Sequence, residues 1–320
     1  MINYFVTGGA GMIGSGLVIR LLKAGNRVTV FDNLSSGKIE NLDEAKSFDG
    51  FKFIEGDIKN LKAITDSLIG SDFIFHLAAN PDIKFLEGDP TDKDLKENTI
   101  GTFNVLEGAR VNKIKKFVFS SSSAVYGEPN IFPTPEGYGP LEPISLYGAS
   151  KLAGEGLITS YSHLFDIQAW IFRFANVVGD KSRKRGTTVL TDFIGKLKKN
   201  PKQLEILGNG KQKKSFLWVE DCLDGMLKVT ENAKEKVNIV NLGNSDSITI
   251  DDLAKTVVDK MGLENVETTH TGGDRGWRGD SPQMLLDVTK AKKYGWIAKY
   301  SSREAIERSA EKLIEALNLS

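Results

Sequence analysis

The 320-residue sequence contains a single cysteine, Cys222, so no disulfide can form within the chain. Its setting, LWVEDCLDGML, has the pattern of an apolar helix start, and the thiol reads as a small core side chain rather than a nucleophile. Histidine is scarce too. His76, His163 and His270 stand in no cluster with cysteine or carboxylates at metal-ligand spacing, so no metal site is expected. Neither sign of charge prevails, with Lys+Arg and Asp+Glu both at 42, which removes any global pull toward nucleic acid or an acidic membrane surface. No apolar run approaches the length that spans a bilayer. The opening residues, MINYFVTGG, pass straight into a strand and a glycine turn, without the basic and apolar regions of a secretory signal. These absences lead to the expectation of a cytoplasmic protein with no nucleic-acid or membrane partner. Repeats and low-complexity segments are also missing. The lysine-rich pieces KSRKRG, KLKKNPK and KQKK read as solvated loops and faces, with a role in holding a diphosphate as the alternative.

What is present is a rhythm. NYFVTG, RVTVFD, FKFIEGD, DFIFHLAA, KKFVFSS and IQAWIFRFAN read as strands, several of them apolar throughout, as strands covered on both faces are. Between them GSGLVIRLLKAG, LKAITDSLIG and NTIGTFNVLEGARVNK carry apolar residues at helical spacing. Strand–helix alternation implies an α/β fold, a doubly wound parallel sheet of Rossmann type with right-handed crossovers. We assign it to residues 1–175. Residues 176–320, in which EILG and VNIVNLGN alternate with helical pieces, read as a smaller C-terminal α/β substrate-binding cap, with some C-terminal segments returning to the Rossmann part.

VTGGAGMIGSGL follows the first strand and opens the first helix. It contains Gly9-x-Gly11-x-x-Gly14 and also Gly8-x-x-Gly11-x-x-Gly14. Without a side chain, the backbone can turn sharply and a pyrophosphate can approach the helix N-terminus. A plain structural turn is the rival reading of the motif by itself. Context favours the dinucleotide: the second strand ends in Asp32, where a carboxylate can grip the adenosine ribose hydroxyls. An acid there repels a 2′-phosphate, so NAD is expected rather than NADP, although Lys38 lies close by. Asp57, ending FIEGD, suits an adenine-edge contact or, equally, a strand-end turn.

SLYGASKLAGEG places Tyr147 four residues before Lys151, on one face of a helix. Such a pair is usually a solvated face. Here the preceding strand, KKFVFSSSSAVYG, runs out at the sheet's carboxyl edge, where open α/β sheets bind ligands. A free tyrosine has a pKa near 10; lowering it to about 7 takes roughly 4 kcal/mol of preference for the phenolate, which an adjacent ammonium and an oxidised nicotinamide can supply. With NAD⁺ in place the set suits oxidation of a secondary alcohol: Tyr147 removes the hydroxyl proton, Lys151 tunes it and holds the nicotinamide ribose, and Ser122 holds the reacting oxygen.

TGGAGMIGS, FDNLSSG, EGDI, HLAA, ENTIGTFNVLE, FSSSSAVYG, YGASK and RFANVVG occur in order and at similar spacing over nearly the whole chain. On these motifs the sequence resembles the extended short-chain dehydrogenase/reductases and, within them, the UDP-glucose 4-epimerase family. The resemblance implies Ser122, Tyr147 and Lys151 as catalytic residues. It implies cofactor positions at Gly8, Gly11, Met12, Ile13, Gly14, Asp32, Asn33, Leu34, Ser35, Ser36, Gly37, Asp57, Ile58, Leu77, Ala78, Ala79, Asn98, Tyr147 and Lys151. Asn176 matches a position contacting the substrate's diphosphate end. The implied reaction is an internal redox cycle on a UDP-hexose: C4 is oxidised to the 4-ketose, the sugar turns about its diphosphate link, and C4 is reduced from the other face. The resemblance also implies a homodimer, built on the helix after ENTIGT and the YGASK helix.

Related 4,6-dehydratases carry an Asp–Glu pair directly after the position of Ser122; here Ser123 and Ala124 stand there, which argues against dehydration. Reductases that also epimerise C3 and C5 need a cysteine and a histidine near the sugar, and Cys222 and His76 read instead as packed residues. Another nucleotide-sugar epimerase, a UDP-GlcNAc 4-epimerase among them, remains an alternative, as does a non-catalytic NAD sensor on the same fold. The family's diphosphate-gripping arginine falls on Lys214, which keeps the charge and loses the bidentate fork. Another arginine position falls on Trp277, flanked by Arg275, the expected substitute, and Arg278. Pro81 replaces a lysine of the bacterial enzymes, with Lys84 three residues on. Met284 aligns with the residue that gates the C2 substituent; its intermediate size leads to an expectation of UDP-glucose and UDP-galactose with some tolerance of the N-acetyl sugars.

Overall fold

The structure is a computed structural model, and it describes residues 1–85, 87–181 and 188–316. Most of the KSRKRG piece therefore lies outside the described residues. Six strands, β1 (Asn3–Thr7), β2 (Arg27–Asp32), β3 (Phe51–Glu55), β4 (Phe73–His76), β5 (Lys116–Ser122) and β6 (Gln168–Phe174), join Val237–Leu242 in one sheet. The order across it is Val237–Leu242, β6, β5, β4, β1, β2, β3, and every neighbouring pair is parallel. From β1 the chain winds one way through β2 and β3, then returns to β4 and winds the other way. The crevice between the ends of β1 and β4 is thus the switch point of the sheet, the place such folds offer a ligand.

Both faces of the sheet are covered. On one, Leu17, Val18 and Leu22 of α1 (Met12–Lys23) share a core with Phe75, Trp170 and Val240. On the other, Ile64 of α2 (Leu61–Ser67), Val105 and Leu106 of α3 (Gly101–Val111) and Ile158 of α4 (Leu146–Phe165) pack with Phe5, Ile74, Phe117 and Phe119. Each fully buried side chain of this size contributes about 1.5–3 kcal/mol by leaving water, which is why these strands are apolar on both sides.

Two segments of the 176–320 stretch lie with the sheet. Val237–Leu242 pairs along its length with β6. The helix Val219–Asn232 lies on α1, where a β-carbon on Gly16 would stand 2.7 Å from Leu223 Cδ1. The reason is in their composition: alternate residues of VNIVNL are apolar enough for a sheet edge, and Cys222, Leu223, Met226 and Val229 complete the α1 core. Cys222 is fully buried there, its thiol pushed up by burial, as the core reading expected.

The remaining C-terminal elements form a second core around Leu190, Phe193, Leu204, Phe216, Leu253, Val257, Ile306 and Leu313. Its strands are short pairs: Asn176–Val178 with Phe216–Trp218, Gln203–Ile206 with Glu267–His270, and Lys213–Lys214 with Ile248–Thr249 and Gln283–Met284. The helix expected over NTIGTFNVLEGARVNK begins with a widened π turn, Leu95–Ile100, before α3. No described helix is long and apolar enough to cross a membrane.

Candidate active site

The glycine turn joins β1 to α1 through the crevice. Gly8 has φ +72°, and a β-carbon on it would lie 2.6 Å from the Ala78 nitrogen; one on Gly14 would run into the Gly8 carbonyl. Side chains are therefore excluded where β1, the start of α1 and the end of β4 meet. Gly11 caps α1 without a side-chain hydrogen bond, and the first turn carries no acid. The helix thus presents unsatisfied N–H groups and its positive end to the crevice. A diphosphate fits this cradle.

Asp32, at the end of β2, is oriented by two backbone amides, Ala10 N–H to Oδ2 at 2.9 Å and Leu34 N–H to Oδ1 at 2.8 Å. Asn33 donates to Asp57 Oδ2 at 3.2 Å. Burial raises the Asp57 carboxyl, but hydrogen bonds from Lys59 and Asn33 outweigh it and hold the group below the ordinary aspartate range. Together these residues wall an open cleft of ≈ 1050 Å³. Gly8, Gly11, Met12, Ile13 and Gly14 form its floor; Asp32, Asn33, Ser35, Ser36 and Gly37 one side; Asp57, Ile58, Leu77, Ala78 and Ala79 the other. Of the expected dinucleotide positions on these loops, Leu34 alone turns elsewhere, packing on the α1 core. Asn41, Lys59, Pro81, Glu97 and Ser120 also line the cleft and were missed. Asn41 is tied to the glycine turn by a 2.8 Å hydrogen bond to the Ala10 carbonyl, a contact across the chain that leaves no mark in the sequence.

Asn98, expected at the cofactor, sits in a buried polar cluster next to the cleft-lining Glu97. Its Oδ1 accepts from Asn80 N–H at 2.7 Å, and its Nδ2 donates to Ser150 Oγ at 2.9 Å and Asp94 Oδ1 at 3.1 Å. The π turn that carries it is the kind of helical irregularity that gathers at functional sites.

The serine run leads to the other end of the cleft. Ser122 closes β5, and its Oγ accepts from Ala124 N–H at 3.2 Å, capping the short turn Ser123–Tyr126. Ser145 caps α4 by accepting from Gly148 N–H at 3.0 Å. Gly148 is packed so closely on the Ala124 carbonyl that a β-carbon would stand 2.6 Å from it. The start of α4 and the end of β5 are thereby held together, with Tyr147 half-buried between them and solvent.

Lys151 is 2% exposed. Its Nζ donates to the Ser120 carbonyl at 2.7 Å and stands 5.7 Å from the Tyr147 ring centroid and 4.9 Å from that of Phe119. Burial pushes this ammonium down to about 7, against the pull of Asp94 and Glu155. His76, directly behind, is fully buried between Thr7 Oγ1 (2.7 Å) and Thr102 Oγ1 (2.9 Å). Burial and the nearby Lys151 push it down to about 3, so it is a neutral packed histidine, as expected.

The expected substrate residues are spread along the cap side. Asn176 is exposed and donates to the Ser215 carbonyl at 3.1 Å. Lys214 pairs with Asp280 at 2.6 Å, and Arg275 with Glu128 at 2.8 Å. Arg278 lines a second hollow of ≈ 680 Å³ with Trp277, Lys84, Asp94 and Ser145. Met284 is buried beside Val125, Tyr126 and Leu286.

A doubly wound sheet with a diphosphate cradle at its switch point, and a Tyr–Lys helix beside its serine strand end, defines a nicotinamide-dinucleotide enzyme of the short-chain dehydrogenase/reductase type. The chain belongs to the NAD dependent epimerase/dehydratase family, which matches residues 4–243. It is 33% identical to a putative UDP-glucose 4-epimerase of Methanocaldococcus jannaschii, over 95% of each chain. It is also 33% identical to UDP-glucuronic acid decarboxylase 2 of Arabidopsis thaliana, over 94% of this chain and 66% of that one. Among solved structures, a UDP-galactose 4-epimerase superposes with a TM-score of 0.87 at 38% identity, covering 99% of this chain and 100% of the other. A UDP-glucuronic acid 4-epimerase from Bacillus cereus, solved with UDP-glucuronic acid and NAD, does so with a TM-score of 0.88 at 27% identity, covering 98% and 100%. The cofactor of the family is NAD, and the cradle, the Asp32 carboxylate and the cleft fit it.

Proposed function

We propose that the chain inverts C4 of a UDP-hexose, with UDP-glucose and UDP-galactose as its preferred pair. The observation that carries this reading is the buried Lys151 ammonium beside the Tyr147 ring, on a helix pinned to the strand that ends in Ser122. Tyr147 removes the proton from the C4 hydroxyl and later restores it, Ser122 Oγ holds that oxygen, and Lys151 stabilises the phenolate. The glycine turn, Asp32 and Asp57 would hold NAD, which would supply the acceptor and later the donor of the hydride at C4.

Two features argue for a neutral hexose and for simple inversion. Ser123 and Ala124 follow Ser122, so neither position supplies a carboxylate for loss of water. The second hollow, which we take as the sugar side, carries Asp82, Asp89 and Asp94 against Lys84, Lys93 and Arg278, a balance that gives a uronic acid no advantage. Lys214, Arg275 and Asn176 are assigned to the diphosphate end, and Met284 to the wall facing C2. The reading includes a cytoplasmic homodimer through α3 and α4, where Phe103, Val111, Leu164 and Phe165 are exposed.

Incubation with UDP-, dTDP-, GDP- and CDP-sugars, followed by NMR of the products, tests this reading. Conversion of UDP-galactose to UDP-glucose without added cofactor is expected. Equal or faster turnover of UDP-GlcNAc would refute the stated preference; retention of NAD with every sugar unchanged would indicate a sensor instead.

A further inference from the structure

Tyr147, Lys151 and Glu155 lie four residues apart on one face of α4. Two of the three are bonded to β5, in opposite senses. Lys151 Nζ donates to the Ser120 carbonyl at 2.7 Å, and Glu155 Oε1 accepts from Ser121 Oγ at 2.5 Å. Ser120 and Ser121 are the two residues that precede Ser122 on the strand. Apolar packing alone leaves the height of α4 along that strand open. Gly154 brings the helix so close to the Phe119 ring that a β-carbon would stand 2.9 Å from Cζ, and Ile158 packs in the same core. Such contacts press the helix to the sheet without a preferred direction.

Glu155 is itself held from the next strand. Arg173 stands opposite Ser121 in the register of β5 and β6. It donates from Nε to Glu155 Oε1 at 3.0 Å and from Nη2 to Oε2 at 2.7 Å. Its Nη1 donates to the Glu136 carbonyl at 3.1 Å, and its Cζ lies 4.7 Å from the centre of the Tyr126 ring. The Tyr126 hydroxyl donates to Asn241 Oδ1 at 2.8 Å, and Asn241 Nδ2 to the Thr134 and Asp287 carbonyls at 3.0 and 3.1 Å. Ser121, Glu155 and Arg173 are all buried. A buried ion pair adds little stability over an apolar pair of the same size. What it adds is direction, because the guanidinium fork meets a carboxylate in one plane and one orientation.

We propose that Glu155 and Arg173 are positioning residues: with Ser121, the pair sets the height of α4 along β5 and so the distance from the Tyr147 phenol to Ser122. This rests on the reading of Tyr147 and Ser122 as reacting groups. Arg173 is held by Glu136 and Tyr126 as well as by Glu155, so it is the fixed point and Glu155 is the arm that reaches it. The same arginine supports Tyr126, which packs beside Met284, so the wall assigned to C2 of the sugar is set from the same point.

Glu155→Asp tests the idea, because it keeps the charge and withdraws the carboxylate by about 1.5 Å, one C–C bond. The helix must then shift to keep Arg173 and Ser121, and a misplacement of about 1 Å at the reacting atoms can cost about 100-fold. For UDP-galactose, kcat per bound NAD should fall about tenfold or more, with KM within about twofold. The pH limbs of kcat should stay within about 0.3 units of wild type, since Tyr147 and Lys151 move together on one helix. Ser121→Ala, a smaller change in the same contact, should lower kcat about fivefold with KM and pH limbs equally unmoved. If Glu155→Asp does not fold, Ser121→Ala decides under the same limits. Crystal structures of variant and wild type should differ by about 0.5 Å or more in the distance from Tyr147 Oη to Ser122 Oγ. A kcat within twofold of wild type, a loss expressed in KM, or a displaced pH limb would overturn the proposal. Failure of the wild type to convert any UDP-sugar would sink the proposed function instead, and the crystal comparison would still decide whether the pair sets the helix.

Discussion

Lys151 Nζ lies 5.7 Å from the centre of the Tyr147 ring while donating a 2.7 Å hydrogen bond to the Ser120 carbonyl on the neighbouring strand. The lysine is therefore fixed by the sheet, and the tyrosine one turn away on α4 is presented to whatever occupies the cleft. A flexible surface pair could not hold a charge at a constant distance from a phenol.

Removing the phenol oxygen tests the acid–base role. Tyr147→Phe is expected to lower UDP-galactose turnover by about 10²–10⁴-fold, the range of a lost general acid–base. NAD(H) released on denaturing the purified variant should match the wild type, since the cleft lining is untouched. Turnover within tenfold of wild type would end the assignment.

Lys151 makes stability depend on pH in a defined direction. Its folded pKa of about 7 lies below the ordinary 10.5, so the unfolded chain binds more protons between those values and the lysine's penalty shrinks as pH rises. Below pH 7 the penalty is complete, at most about 5 kcal/mol. Lys151→Met should therefore raise the thermal midpoint most near pH 6 and progressively less toward pH 10. A gain that grows with pH would contradict the buried, depressed ammonium.

Glu155 and Arg173 form a nearly water-free pair, 5% and 3% exposed at their side chains. Glu155→Gln leaves the guanidinium buried without its counter-charge and should cost about 3–5 kcal/mol in urea unfolding. Replacing both residues together, as Glu155→Leu with Arg173→Met, should cost markedly less. Equal losses from the single and double variants would show that the pair acts through shape rather than charge.

Gly14 sits where a β-carbon would meet the Gly8 carbonyl and come within 2.7 Å of Gly9 Cα. Gly14→Ala should weaken NAD binding by about 100-fold or more in calorimetric titration, because the turn must open to admit the methyl group. Gly156→Ala, on the same fold but with open space around it, serves as the control and should bind NAD as the wild type does.

Much of the candidate site was legible because its signals are local. A strand ending in glycines, a carboxylate at the next strand's end and a tyrosine four residues before a lysine all lie within short windows. Glu155, four residues after Lys151 in SLYGASKLAGEG, was not singled out, because nothing nearby names its partner; Arg173 is 18 residues further on, on strand β6. Asp94 gives even less signal, as one acid among several in GDPTDKDLKEN. VNIVNL was assigned to the cap because short apolar strands look alike wherever they pair; only the open edge of β6 shows where this one goes.

The amino-acid sequence alone determined the parallel α/β class, the dinucleotide turn and the Tyr147–Lys151 spacing, since backbone periodicity and glycine's freedom act over a few residues. Tertiary packing decided which charges lose their water and which find a partner. That outcome depends on helices closing over a sheet and bringing the Ser120 carbonyl, Phe119 and Tyr147 around one ammonium, and desolvation of a charge is a property of the whole surrounding volume.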